Sequence, residues 1–264
     1  MYTLFAPAPP LRPYIDLYWR IFTQDPAAAL RERIIVDGQA DILFNLGAPY
    51  HRFDPTDPTR DALLTVSNLD AQRRYPILIA QSGAMHLLGV RFRPGGLSAF
   101  IRIPLHKLTD LAIDAGDIFG AALRELDSRL FDAAPDATAQ IALLDAFFAR
   151  HLHALPASST SAYALAACIE QACGQVSIRA LSHDLGYSIR TLDRRFTAAF
   201  GYSPKFYARI IRFRTVTAHL SAHPYTPLID LALAHGFTDQ AHFTHEFSAL
   251  AGQSPAAFRA MLSP

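Results

Sequence analysis

The chain has 264 residues, of which 51% are hydrophobic and 18% charged, with a formal net charge of +1. This length exceeds what one core usually serves, so two domains are expected, and the composition excludes an intrinsically disordered chain. No stretch approaches the roughly 20 apolar residues of a membrane-spanning helix, and the N-terminus lacks a signal-peptide pattern, so a cytoplasmic protein without a membrane partner is expected.

The first hundred residues favour strands. "LRERIIVDGQADILFNLGAPYHRF", Leu30 to Phe53, is rich in Ile, Val, Leu and Phe and is broken by Asp37-Gly38 and Gly47. "LLTVSNL", "YPILIAQSG" and "MHLLGVRFRPGG" continue the pattern. Short strands with frequent turns predict a small sandwich or barrel. From Leu105 the period changes. Ile118, Ala122, Leu126 and Leu130 form one helical stripe in Asp114 to Phe131, and Ile141, Leu144, Phe148 and Leu152 form another in Ala139 to His153. Polar, proline-containing "LPASSTS" marks a boundary, giving an α+β chain with domains at 1–155 and 162–264. Cys168 and Cys173, five apart in an apparent helix, read as core fillers rather than as a disulfide.

Beyond the boundary everything reads as helix and turn. Residues 161–264 carry nine Lys/Arg against six Asp/Glu, with six histidines, a mild bias toward an anionic partner. The segment is also internally repeated. Gly186 matches Gly236 and Tyr187 matches Phe237 at an offset of 50, whereas Phe196, Gly201 and Pro204 match Phe247, Gly252 and Pro255 at 51. Two copies of one small unit are implied, the second one residue longer near its helix start.

In each copy an apolar helix ends at a glycine, and Ser188 or Thr238 is placed to cap the next helix. Leu192 and Phe196, or Phe243 and Phe247, give that helix a narrow apolar edge. This is the layout of a helix-turn-helix, whose second helix can lay its polar side in a major groove. The exposed set includes Arg190, Asp193 and Arg194 in one copy and Gln240, Ala241, Thr244 and His245 in the other. Arg suits guanine, Gln suits adenine, and Thr or Ala methyls suit thymine. "SPKFYARIIRFRTVTAHLSAH" predicts a continuous helix from Pro204 that joins the two units, with Arg209, Arg212 and Arg214 along it.

These motifs, over 162–261, resemble the DNA-binding domain of the arabinose-operon regulator (AraC/XylS-type) family of bacterial transcription factors. The resemblance implies an all-α double helix-turn-helix that binds double-stranded DNA, with reading positions at Ser188, Arg190, Asp193, Arg194, Thr238, Gln240, Ala241, Thr244 and His245. Asp193 and His245 depart from the family's usual residues, so sequence specificity is not transferable. "LRPYIDLYWR", "RERIIVDGQADILFNLG" and "LLGVRFRPGGLSAF" resemble a cupin-like sensor domain. That implies an N-terminal cupin-like β-barrel with flanking helices, a small-molecule effector, a homodimer and contact with RNA polymerase, with the protein on the bacterial nucleoid when bound. Trp19, Phe44, Arg91 and Phe92 are candidate ligand-lining residues, with Tyr18 beside them.

No catalytic residue, metal site or cofactor is expected. The alternatives are a metal-dependent cupin-type enzyme, for which His51 and His86 lie 35 residues apart outside any dense ligand motif; an alkyl-transfer repair protein using Cys168 or Cys173; and a regulator that binds protein rather than DNA.

Overall fold

The computed structural model describes residues 2–55 and 57–262. The chain divides into two compact units: Met1–Arg33, Gln39–Arg73 and Ile77–Leu155 form one, and Ile34–Gly38, Arg74–Pro76 and Pro156–Pro264 form the other.

The first unit holds strands β1 (Tyr2–Phe5), β2 (Ile15–Thr23), β3 (Ala29–Ile34), β4 (Ala40–Asn45), β5 (Tyr50–Phe53), β6 (Ala62–Leu64), β7 (Asn68–Asp70), β8 (Ile77–Ser82), β9 (Met85–Phe92) and β10 (Ala112–Asp114). They form two sheets, ordered β1-β2-β9-β4-β7-β10 and β3-β8-β5-β6. Burial separates the two sheets. In β4 and β9 nearly every residue is buried, as in strands covered on both faces, whereas β8 alternates buried with half-buried positions from Ile77 to Gln81.

β9 is crossed closely by the indole of Trp19, which pairs with Gly89 across the β2–β9 ladder. A Cβ on Gly89 would lie 1.9 Å from Trp19 Cε2, so only glycine leaves room for the ring. Trp19 Nε1–H donates to Asp41 Oδ1 at 3.0 Å and Arg91 Nε–H donates to the same oxygen at 3.1 Å, which satisfies a carboxylate buried on β4.

Helices follow. The expected single helix from Asp114 is interrupted: Asp114 ends β10, α1 spans Gly116–Phe119, and α2 spans Ala121–Asp132. Gly120, at φ 65°, separates them, because that backbone cannot continue a right-handed helix. α3 (Ala137–His151) is capped by Asp136, whose Oδ1 accepts from Thr138 N–H and Ala139 N–H. Leu144, Phe147 and Phe148 of α3 join Leu123, Leu126 and Leu130 of α2 in one core with Ile42, Phe44, Val90 and Phe92. Tyr18 on β2 donates to Asp145 Oδ1 at 2.8 Å, tying that helix to the sheet.

The second unit consists of α4 (Thr160–Gln171), α5 (Ile178–Asp184), α6 (Ile189–Phe200), α7 (Pro204–Ala222), α8 (Leu228–Ala234), α9 (Gln240–Ala251) and α10 (Pro255–Leu262). The expected continuous connecting helix is α7, with Pro204 in its first turn and Ser203 Oγ accepting from Phe206 N–H. Leu165, Ile169, Phe196, Ile210, Val216, Leu231 and Phe247 share its core. Val36 joins them, its N–H donating to Leu250 O at 3.0 Å. The cysteines are not both core fillers. α4 ends at Gln171, leaving Cys173 exposed with φ 50°, and Cys168 is half-buried.

Trp19 is the chain's one tryptophan, so its fluorescence reports the first unit alone. Gly89→Ala is expected to lower the midpoint of the urea transition followed by that signal, with a loss of about 1–3 kcal/mol from overpacking. An unchanged midpoint would show that the ring moves aside freely.

Candidate nucleic-acid interface

The two repeated units fold alike, and their hydrogen bonds locate the difference between them. In the first, Gly186 N–H donates to His183 O, and Tyr187 N–H donates to Ser182 O at 3.1 Å. In the second, Gly236 N–H donates to Leu233 O, and Phe237 N–H donates to Ala232 O at 3.0 Å. Both glycines adopt positive φ, 70° and 73°, the conformation that closes a helix and turns the chain.

The helices then start one residue out of step. Ser188 caps α6, its Oγ accepting from Thr191 N–H at 3.2 Å. The sequence expectation that Thr238 caps α9 is not met: Asp239 caps it, accepting from His242 N–H at 2.8 Å. The Asp239 carboxyl is held below the usual range chiefly by that backbone bond. Thr238 is therefore the inserted residue, placed between the turn and the cap.

Aligning the caps pairs Arg190 with Ala241, Asp193 with Thr244, Arg194 with His245, and Ile189 with Gln240. Ile189 was absent from the sequence-derived set, yet it is 47% exposed at the start of α6. Cap alignment is the signal that finds it.

The apolar edges of α6 and of α9 are each wider than their two aromatic rings. Leu192, Phe196, Ala199 and Phe200 are buried on α6, and Phe243, Phe247, Leu250 and Ala251 on α9. Burying one such phenylalanine contributes about 1.5–3 kcal/mol, which holds the helix while its opposite side stays in water. Arg190, Asp193 and Arg194 are exposed there, as are Gln240, Ala241 and His245. Among the described residues, the side chains of Arg190, Asp193 and Arg194 have no ion-pair partner. Thr244 Oγ1 donates to Gln240 O at 2.8 Å, which commits its hydroxyl to the helix and leaves its methyl as the outward chemistry.

Other cations of this unit are engaged. Arg195 donates to Ser161 Oγ and lies over the Tyr187 ring, Arg209 pairs with Glu246 at 2.6 Å, and Arg212 donates to Gly174 O and Gly236 O. Arg214 is exposed on α7.

The N-terminal ligand candidates fall into two groups. Trp19 and Arg91 come together on Asp41, a residue sequence reasoning missed. Phe44 and Phe92 are fully buried in the core, Phe92 edge-on to Phe148 at 5.6 Å. His51 stacks on Phe53 and His86 faces Gln140, so the two histidines serve different neighbours. Among the described residues no group of three or more His, Cys, Asp or Glu is placed to hold a metal ion, and no helix is long and apolar enough to cross a membrane.

Residues 181–261 match a family model described as a helix-turn-helix domain. They form a helix-turn-helix domain of the arabinose-operon regulator (AraC) type. The match begins inside α5 and runs into α10, so this AraC-type domain contains α6, α9 and the whole of α7 between them. Residues 3–114 match a domain of unknown function, DUF6597, which spans the strands of the first unit. No curated protein sequence matches the chain significantly.

Among solved structures, ToxT from Vibrio cholerae O395 is similar at 11% identity and TM-score 0.48, covering 93% of this chain and 96% of that one. Unsaturated fatty acid-bound ToxT from V. cholerae strain SCE256 is similar at 11% identity and TM-score 0.48, over 99% and 96% of the two chains. The C-terminal domain of AraT, a response regulator from Geobacillus stearothermophilus, is similar at 19% identity and TM-score 0.37, over 40% of this chain and 88% of that one.

The second half of the AraC-type domain contains a histidine pair. His235, after α8, faces His219 of α7 with Nε2···Nδ1 at 3.4 Å, and Thr226 Oγ1 lies 3.4 Å from His219 Nε2. Burial, then the neighbouring His219, lowers the His235 pKa below its ordinary 6.5. The unfolded chain thus takes up this proton more readily than the folded one. The stabilisation is present above about 6.5 and lost as pH falls through the lower folded value. The helical unit should therefore melt at a lower temperature at pH 5 than at pH 7, and His235→Gln should reduce that difference. Equal pH dependence in both proteins would remove His235 as its source.

Proposed function

We propose that the chain is a sequence-specific DNA-binding transcription regulator whose reading residues are Arg190, Asp193 and Arg194 on α6 and Gln240, Ala241, Thr244 and His245 on α9. The observation that carries this reading is the repeated presentation: two capped helices, each anchored by a buried aromatic stripe, each with exposed side chains opposite it, in a domain of the AraC type. Arg190 and Arg194 have donors suited to guanine O6 and N7, Gln240 suits adenine, and Ala241 with the Thr244 methyl suits thymine. Ser188 is committed to its cap, so it acts by orienting α6 rather than by reading bases. Thr238, one residue ahead of the Asp239 cap, lies where phosphate contact is expected.

The N-terminal unit completes the proposal as a sensor of a small molecule, which alters DNA binding through a coupling free energy between the two sites. Homodimer formation, contact with RNA polymerase, a cytoplasmic location and the absence of enzymatic activity belong to the same reading.

Selecting bound duplexes from a random DNA pool, at fixed salt, tests it. A bipartite motif is expected, its halves about one helical turn apart. Arg194→Ala should relax one half and Gln240→Ala the other, each at a cost of about 1–3 kcal/mol for the preferred base. A motif unchanged by either substitution, in folded protein, would refute the assigned reading positions.

A further inference from the structure

Beside the exposed stripe of α9 lies a groove of about 450 Å³, walled by the turn into α5, by Lys205, Arg209 and Arg212 of α7, and by His242 and Glu246 of α9. Three permanent cations therefore face one carboxylate. Arg209 Nε–H is satisfied by Glu246 at 2.6 Å, which leaves the charge of Lys205 and Arg212 in excess. Arg212 Nε is buried without a hydrogen-bond partner. His242 lines the groove as well, its Nδ1 lying 3.0 Å from Thr238 Oγ1. A ligand suited to this lining is acceptor-rich and negatively charged.

The position of the groove narrows the choice. His242 and Glu246 are one turn apart on the flank of α9, adjacent to Ala241 and His245 on the exposed stripe. A helix lying in a major groove has the phosphates of the groove wall along such a flank. We propose that this groove holds a phosphodiester of the bound duplex, and so fixes the depth and register at which α9 reads. The inference rests on the assignment of α9 as a reading helix. The negative charge of Glu246 limits the attraction, and its removal makes a sensitive test.

The experiment uses the full chain, with the selected duplex and a scrambled duplex, across a salt series. Lys205→Ala is expected to weaken both duplexes by the same factor and to flatten the log–log salt dependence by about 0.9, one phosphate contact. Glu246→Gln is expected to strengthen both duplexes. Unchanged affinity and slope in both folded variants would overturn the proposal, as would a Lys205→Ala loss confined to the selected duplex. A parallel titration with inorganic phosphate at constant ionic strength separates the sources. Phosphate binding that is lost in Lys205→Ala while the duplex slope stays unchanged would assign the groove to a free anion and overturn the backbone assignment. If the native protein binds no duplex, the functional reading itself fails. Duplex binding with unaltered slopes defeats the groove alone.

Discussion

The helical unit depends on how the guanidinium of Arg212 is held. From α7 it donates to Gly174 O at 3.2 Å and to Gly236 O at 3.5 Å, and it lies 5.3 Å from the centre of the Phe237 ring. Gly174 leads into the first helix-turn-helix and Gly236 is the turn of the second, so one side chain ties both to the connecting helix. Such a planar fork can serve two carbonyls at once, which a lysine ammonium cannot reproduce. Gly174 permits the approach: a Cβ there would meet Ala208 O at 2.2 Å. With both turns fixed on one rod, α6 and α9 hold a set relation, as the proposed reading of two segments of one duplex requires.

The first unit has a comparable centre in Asp41. Its carboxylate is buried, and Trp19 and Arg91 both converge on one of its oxygens. Removing one partner from such a site would leave a buried charge short of donors, which costs more than the bond itself contributes. Trp19 and Arg91 therefore have a structural task whatever ligand the unit takes. Glu32 lies within the same field: burial raises its pKa and Arg91 opposes the rise.

The sequence revealed the repeat because glycine, aromatic and proline positions respond to strict geometry. Gly186 and Gly236 need left-handed backbone, and Phe196 and Phe247 need the same buried place. Capping was less legible, since Thr238 and Asp239 are both competent acceptors and only the hydrogen bonds distinguish them. The break at Gly120 was hidden because the apolar stripe continues through it with almost unbroken helical spacing. Cys173 was misplaced for a related reason: periodicity does not mark where α4 ends, and the Cys173-Gly174 turn has no proline to announce it. Ion pairing was not legible at all. Arg209 and Arg212 read like any basic residues on a helix until Glu246 and the two glycine carbonyls came beside them.

That last point changes the meaning of the net charge. The mild basic bias of residues 161–264 is spread over side chains with different duties: Arg209 is neutralised by Glu246, while Arg195 and Arg212 commit donors, but not their charge, to neutral internal acceptors. What remains on the exposed faces of α6 and α9 is unequal. α6 presents two arginines and an aspartate, whereas α9 presents an amide, two methyl-bearing residues and an imidazole. Phosphate attraction is long-ranged and sequence-independent, while neutral base contacts act only once the helix is seated. On the proposed function, α6 contributes more to encounter with DNA and α9 more to discrimination after docking. A charged anchor in the groove beside α9 would compensate for the neutrality of that helix, placing a chemically selective but weakly attractive surface firmly against its bases.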